Sequence, residues 1–440
     1  MASNGWQPLW LVSRHFGAHT NRQFDQTSQL AFANQHQLNK KWNIAYEAEL
    51  INNDNYTNTY LQQAYLKVKR ARWQIQAGRF EYTTGVSISE LSSGSLGVSK
   101  NALLIPQVAI STDEFIQPGF LPDWFSFSAN WAHGWMGEER VVNHAWLHQK
   151  GLYLKLGRER FYLTAGLQHF GIWGGVHPQG TLPGRFQDYL RIIVGAPQSK
   201  DTTGFRGPLN LLNALGSHIL IPEFSLNGKT KKFDWSLYTQ NIFDKGVGRR
   251  DGKDQIAGFR ILSRDRLAGL LVKFKKTPLK PNLVLERIYT VYQGGPIVFV
   301  GQDNYYNNAI YQSGWNYQDR IIGTPLFINR TLAEKYFEDE EVRAWETVSN
   351  RIAGWHVGLG FQFFKKLQTQ TLITYVKHLG AYSTDESLFS PPLQQWHLGQ
   401  SIHYAHNQQF AGSLEIGVDN GMLGRTAGIR ASLLYKLSDL

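Results

Sequence analysis

Residues 41–52 read KWNIAYEAELIN, and their alternation decides the fold. From Trp42 every second residue is apolar: Trp42, Ile44, Tyr46, Ala48 and Leu50. Asn43, Ala45, Glu47 and Glu49 lie between them. Successive side chains of a strand point to opposite sides, so a period of two means a strand with two unlike faces. A soluble sandwich and a membrane barrel both alternate, and the rest of the chain has to say which solvent each face meets.

The pattern recurs to the end. In FSFSANWAHGW (125–135), Phe125, Phe127, Ala129 and Trp131 oppose Ser126, Ser128 and Asn130. FDWSLYTQN (233–241), QWHLGQSIHYAHN (395–407), FAGSLEIGVDNG (410–421) and TAGIRASLLYKL (426–437) read the same way. These strands run about 10–13 residues, the length a tilted strand needs to cross a bilayer, and their apolar faces often end in Trp, Tyr or Phe, as an interfacial girdle requires. Strands of soluble proteins are usually about half as long. One face therefore meets lipid and the other meets water or polar loops. Trp42, Ile44, Tyr46, Trp235, Leu398, Ile416, Ile429 and Leu433 are expected on the lipid side, and Glu47, Asp234, His397, Glu415 and Arg430 on the lumen side.

Composition agrees. The mean hydropathy is −0.35, and no uncharged apolar run is long enough for a transmembrane helix. Aromatics reach 13%, high for a soluble enzyme. Cysteine is absent, which removes disulfides, thiolate metal sites and Cys nucleophiles together, and suits an oxidising envelope. The start MASNGW carries no leader, so the chain is read as a mature form with its signal peptide removed. A net charge of +11 would suit nucleic acid, anionic glycolipid or acidic polysaccharide. No nucleic-acid motif is present, and the basic residues collect at turns, so nucleic acid is set aside.

The connections sort into two kinds. Short, often basic turns fall at 39–41, 69–72, 157–159, 228–232, 275–281 and 365–367. Long segments fall at 81–94, 170–213, 244–260, 294–342 and 380–393. Outer-membrane barrels place short turns in the periplasm and long loops outside. One further strand near 94–104 makes the two kinds alternate, which gives about 18 strands with both termini periplasmic. The expected fold is thus all-β: one transmembrane antiparallel barrel over 1–440, with 102–123, 170–213 and 294–342 as plug or outer-loop segments. Short helices are expected at 209–215 and 331–345.

Catalytic patterns are weak. His144 and His148 lie about 13 Å apart on a strand, too far to share a metal. His133, His169 and His378 have no local nucleophile signature. Neither a metal nor a cofactor is expected. The strongest local signal is GQDNYYNNAIYQSGWNYQDRIIGTP (301–325). Tyr305, Tyr306, Tyr311, Trp315 and Tyr317 sit there among Asp303, Asn307 and Arg320, the mixture of flat rings and polar groups that recognises sugars. Trp173 and His177 of the other long loop are reasonable neighbours. The competing reading is a folded plug that uses these rings as its own core. Gly358 and Gly360 read as wall packing or bends.

At these residues the chain resembles the Wzi-like capsule-assembly family of outer-membrane proteins. SGSLGVSKNALLIPQVAIST (93–112), LHQKGLYLKL (147–156), GLQHFGIWGG (166–175), VSNRIAGWHVGLGF (348–361) and GVDNGMLG (417–424) match in the same order. The resemblance implies a lectin-like barrel of about 18 strands, in keeping with the parity count. It also implies a bacterial outer-membrane location and a non-catalytic role in holding capsular or exopolysaccharide on the cell surface. Expected partners are that polysaccharide and outer-membrane lipid and glycolipid, with other envelope proteins as further candidates. Three rivals differ in what they need: a porin or secretion channel needs an open lumen, a scaffold barrel a stoichiometric partner, and a hydrolase converging Ser, His and Asp at the rim.

Overall fold

The computed structural model describes all residues except 86–88, 197–214, 245–249, 252–254, 257–263, 294–302, 335, 338–344, 383–388 and 438–440. Seventeen strands form one antiparallel sheet. They are β1 (Ser28–Gln37), β2 (Trp42–Asn53), β3 (Asn58–Arg70), β4 (Trp73–Arg79), β5 (Gln107–Thr112) and β6 (Phe125–Trp135). Next come β7 (Trp146–Arg158), β8 (Phe161–Trp173), β9 (Ser217–Lys229), β10 (Phe233–Asn241), β11 (Arg266–Phe274) and β12 (Asn282–Tyr289). The last are β13 (Ile352–Phe363), β14 (Leu367–His378), β15 (Leu393–Ala405), β16 (Phe410–Gly421) and β17 (Gly424–Tyr435). Each strand pairs with the next in sequence, as in an up-and-down barrel.

The faces follow the alternation. Trp42, Leu398, Ile416, Ile429 and Leu433 are exposed on the outer surface, whereas His397 and Glu415 are buried on the inner one. An exposed apolar surface of this kind is the lipid face of a transmembrane barrel. Inside, Glu415 accepts from Arg430 at 3.1 Å, and Asp419 lies 2.8 Å from the Nδ1 of His397. Charges pair in the lumen because lipid would leave them without partners.

Two details correct the sequence reading. The additional strand lies at Gln107–Thr112, not near 94–104. Alternation round the chain required a strand in this interval, but 94–104 is irregular and buried inside the barrel, held by side-chain hydrogen bonds instead of a ladder. Accordingly the plug material here is 89–106, and most of 102–123 belongs to the wall and its lower connection. The N-terminus also departs from the expected periplasmic position. Ala2 bridges Gly428, Met1 and Ile429 exchange two backbone hydrogen bonds of 2.9 Å, and Ala2 donates to the Gln23 carbonyl at 2.6 Å. The first residues thus lie between the middle of β17 and the chain entering β1, in the place an eighteenth strand would take.

The chain then enters the lumen, where Trp10–Ser13 and Phe16–Ala18 are buried. A short helix, α1 (Leu9–Val12), seats Trp10 and Leu11 against Gly399, Gly417 and Gly428 of the wall. The 209–215 helix falls almost wholly outside the described residues. Of the expected 331–345 helix, three residues fall in α3 (Arg330–Ala333), capped by Asn329, whose side chain accepts from the Leu332 amide. The other helix, α2 (Phe186–Val194), follows β8.

Candidate functional site

The outer mouth is closed by side chains from three segments. In the first, Ser92 and Ser93 bind one wall carboxylate, Glu286 of β12. The Ser92 hydroxyl donates to it at 2.6 Å, the Ser93 amide at 2.8 Å and the Ser93 hydroxyl at 2.6 Å. Gln240 of β10 accepts from the Leu96 amide at 2.9 Å. The segment comes close to the wall because Gly358 has no side chain: a Cβ there would lie 2.2 Å from the Leu91 carbonyl oxygen. Gly358 is thus a packing position, as the sequence suggested.

The second segment is the aromatic loop. Tyr305, Tyr306, Tyr311, Trp315 and Tyr317 are all buried, with Trp315 only 2% exposed. The Tyr305 hydroxyl donates to Asp265 at 2.8 Å, Tyr306 to the Leu96 carbonyl at 2.5 Å and Tyr311 to the Gly174 carbonyl at 3.3 Å. The Trp315 indole donates to the Gly97 carbonyl at 2.8 Å, and its ring meets Phe170 of β8 at 5.2 Å. These rings have no free face for a sugar. They form the apolar core of the plug, where a folded loop would use them, and the polar tips of Tyr305, Tyr306, Tyr311 and Trp315 are hydrogen-bonded inside it.

The remaining site candidates are placed similarly. Asp303 and Asn307 are buried, and Asn307 exchanges two 2.8 Å hydrogen bonds with the backbone of Thr347. Arg320 donates to the carbonyls of Val12 and His19, so it ties the N-terminal segment, the third part of the closure, under the plug. Burial lowers its pKa to about 10, which leaves it charged at neutral pH. His177 is buried and accepts from the Gln179 amide at 3.1 Å. Trp173 points away from the lumen and is covered by α2. Of the loop, Ala309, Gln312 and Asp319 are the exposed described residues.

The three histidines His378, His144 and His148 occupy separate places. His378 lies 3.3 Å from the Ser349 hydroxyl, but both are essentially inaccessible, at 1% and 0% exposure. His144 is in a turn beside Glu138, while His148 is buried in β7. Among the described residues no group of three or more His, Asp or Glu has a metal-binding arrangement.

Under the plug a cavity of about 720 Å3 remains inside the barrel. Six glutamines line it: Gln63, Gln74, Gln76, Gln107, Gln149 and Gln168. Tyr82 donates to Gln149 at 3.0 Å and Gln149 to Gln107 at 2.8 Å; Tyr65 donates to Glu47 at 2.9 Å. Burial, and then the nearby Glu49 and Glu47 charges, push the Glu81 carboxyl above its usual range, opposed by Lys100. Sequence reasoning missed this lining. The alternation put Glu47, Ser128 and Asn130 on a polar face, but the six glutamines were not read, and nothing local said which inner residues the plug would leave uncovered.

A lipid-belted antiparallel barrel with its lumen stopped by its own chain defines a plugged outer-membrane β-barrel protein. The chain belongs to the family described as capsule assembly protein Wzi, which matches residues 4–329. In structure it is similar to Wzi of Escherichia coli, an outer membrane protein described as a carbohydrate-binding β-barrel involved in group 1 capsule assembly. That likeness has a TM-score of 0.60 at 13% identity and covers 97% of this chain and 82% of that one. OccAB4 of Acinetobacter baumannii matches at a TM-score of 0.46 and 12% identity, over 93% of this chain and 90% of the other. OccK5 of Pseudomonas aeruginosa matches at 0.45 and 9%, over 93% and 94%. No curated protein sequence matches this chain.

Proposed function

We propose that this barrel binds or anchors surface polysaccharide at the outer membrane without catalysing a reaction. The closed mouth carries the reading. A barrel of this strand number with an empty lumen would be an aqueous channel, yet here buried aromatics and a wall carboxylate hold the closure shut. A protein that gives up conduction in this way keeps a rigid scaffold for holding a ligand. Family membership supplies the ligand class, since the related Escherichia coli barrel is described as carbohydrate-binding. The buried Ser349–His378 pair gives a hydrolase nothing to work with, because substrate has no route to it.

The test is deletion of the gene followed by assay of cell-bound and released polysaccharide. Total polysaccharide should be unchanged while the released share rises, and the parent gene should restore retention. An unchanged bound share would remove the reading.

A further inference from the structure

The cavity under the plug has a direction. β4 and β5 are seven and six residues long, the shortest strands of the wall. Arg79, the last residue of β4, pairs with Ala64 in the middle of β3. The chain leaves the wall there at mid-height, and residues 80–85 cross the lumen as a ceiling. The cavity lies below that ceiling. Its lower lining includes Phe115 of the 113–124 connection, which belongs to the same rim as the short turns. On a barrel of this type that rim is periplasmic.

The chemistry of the lining points to a ligand class. Near the ceiling the amides are bonded to one another. Lower down, Gln76 of β4, Asn130 of β6 and Lys67 of β3 line the space, and none of their side chains has a protein hydrogen bond or ion pair among the described residues. An amide carries donors and an acceptor side by side, the pattern that matches adjacent hydroxyls. Tyr65 and Phe80 add ring faces. Glu47 and Glu81 outnumber Lys67, so an acidic ligand would meet like charge. The volume falls in the range of about 300–1,000 Å3 usual for ligand pockets.

We infer that this cavity is a saccharide seat entered from the periplasmic rim, and that it takes a segment of an uncharged, hydroxyl-rich chain. The inference rests on the polysaccharide-binding reading and adds a site, a side and a ligand charge to it.

Gln76→Cys introduces the single thiol of a chain that has no other. A membrane-impermeant maleimide should leave it unlabelled in intact cells and label it once the outer membrane is permeabilised. Surface polysaccharide extracted from the producing cells, separated into neutral and acidic fractions, supplies the probes. The neutral fraction should slow labelling several-fold and the acidic fraction should not. Gln76→Trp fills the space and should weaken binding of the neutral fraction to the purified barrel at least tenfold, with heat-modifiable migration on gels retained. Asn130→Leu serves the same purpose should the larger side chain prevent folding. Labelling from outside, protection by the acidic fraction alone, or parental binding by the folded variants would overturn the seat while leaving the polysaccharide reading in place. A parent barrel that binds neither fraction would remove both.

Discussion

Trp315 shows how one residue type serves two purposes. Its ring belongs equally well to a sugar platform or to a protein core, and only its neighbours decide. Gly97, Phe170 and the Tyr306 carbonyl all meet Trp315, so Trp315→Ala empties a packed site at a cost of about 3–5 kcal/mol. The expected result is a lower thermal midpoint and faster proteolysis of the plug, with loss of retention following from loss of structure. Unchanged stability would return the ring to a binding role. Glu346 offers a second test at this scale. Burial, then the neighbouring carboxylates Asp319 and Glu334, raise its pKa from 4.5 to about 7, against the pull of Arg330 and Arg140. The folded value lies above the unfolded one, so its stabilising contribution is full below pH 4.5 and is lost as pH rises through 7. Glu346→Gln should therefore flatten the fall in thermal midpoint between about pH 5 and pH 8. An identical fall in the variant would show that other groups control it.

The elements differ in how much of them the sequence revealed. β2, β15, β16 and β17 were legible because one face meets lipid and the other does not, which writes a period of two directly into the residues. The 89–106 segment was misread because it is enclosed within the barrel and has no such contrast. Its serines look like the polar face of a strand, yet they are ligands of Glu286, about two hundred residues away. α2 is the least expected element. It lies outside the barrel, with the Tyr189 ring stacked on Trp173 at 5.2 Å and the Trp131 indole donating to the Tyr189 hydroxyl at 3.1 Å. It covers His148, His169 and His218, outward-facing histidines that lipid would not tolerate uncovered. Its exposed apolar residues, Phe186, Leu190 and Val194, recur every four residues as one stripe. A bimane placed at Leu190→Cys should be quenched by brominated phosphatidylcholine vesicles about as strongly as one at Leu152→Cys on the wall. Quenching at Leu152 alone would place the helix in water.

At the scale of the molecule, the plug predicts electrical silence. Planar bilayers containing the purified barrel should show no large, steady single-channel currents; sustained open levels would restore the channel reading. The ends of the sheet carry a different consequence. Neighbouring strands such as β2 and β3 are joined along their whole length, whereas β17 meets β1 through residues 1–4 and the chain at 21–23. A hoop under tension parts at its thinnest weld. If the wall is pulled or heated until it tears, the rupture should start along that seam, and a covalent staple between positions 1 and 429 should toughen the whole ring more than the same staple placed anywhere else around its circumference.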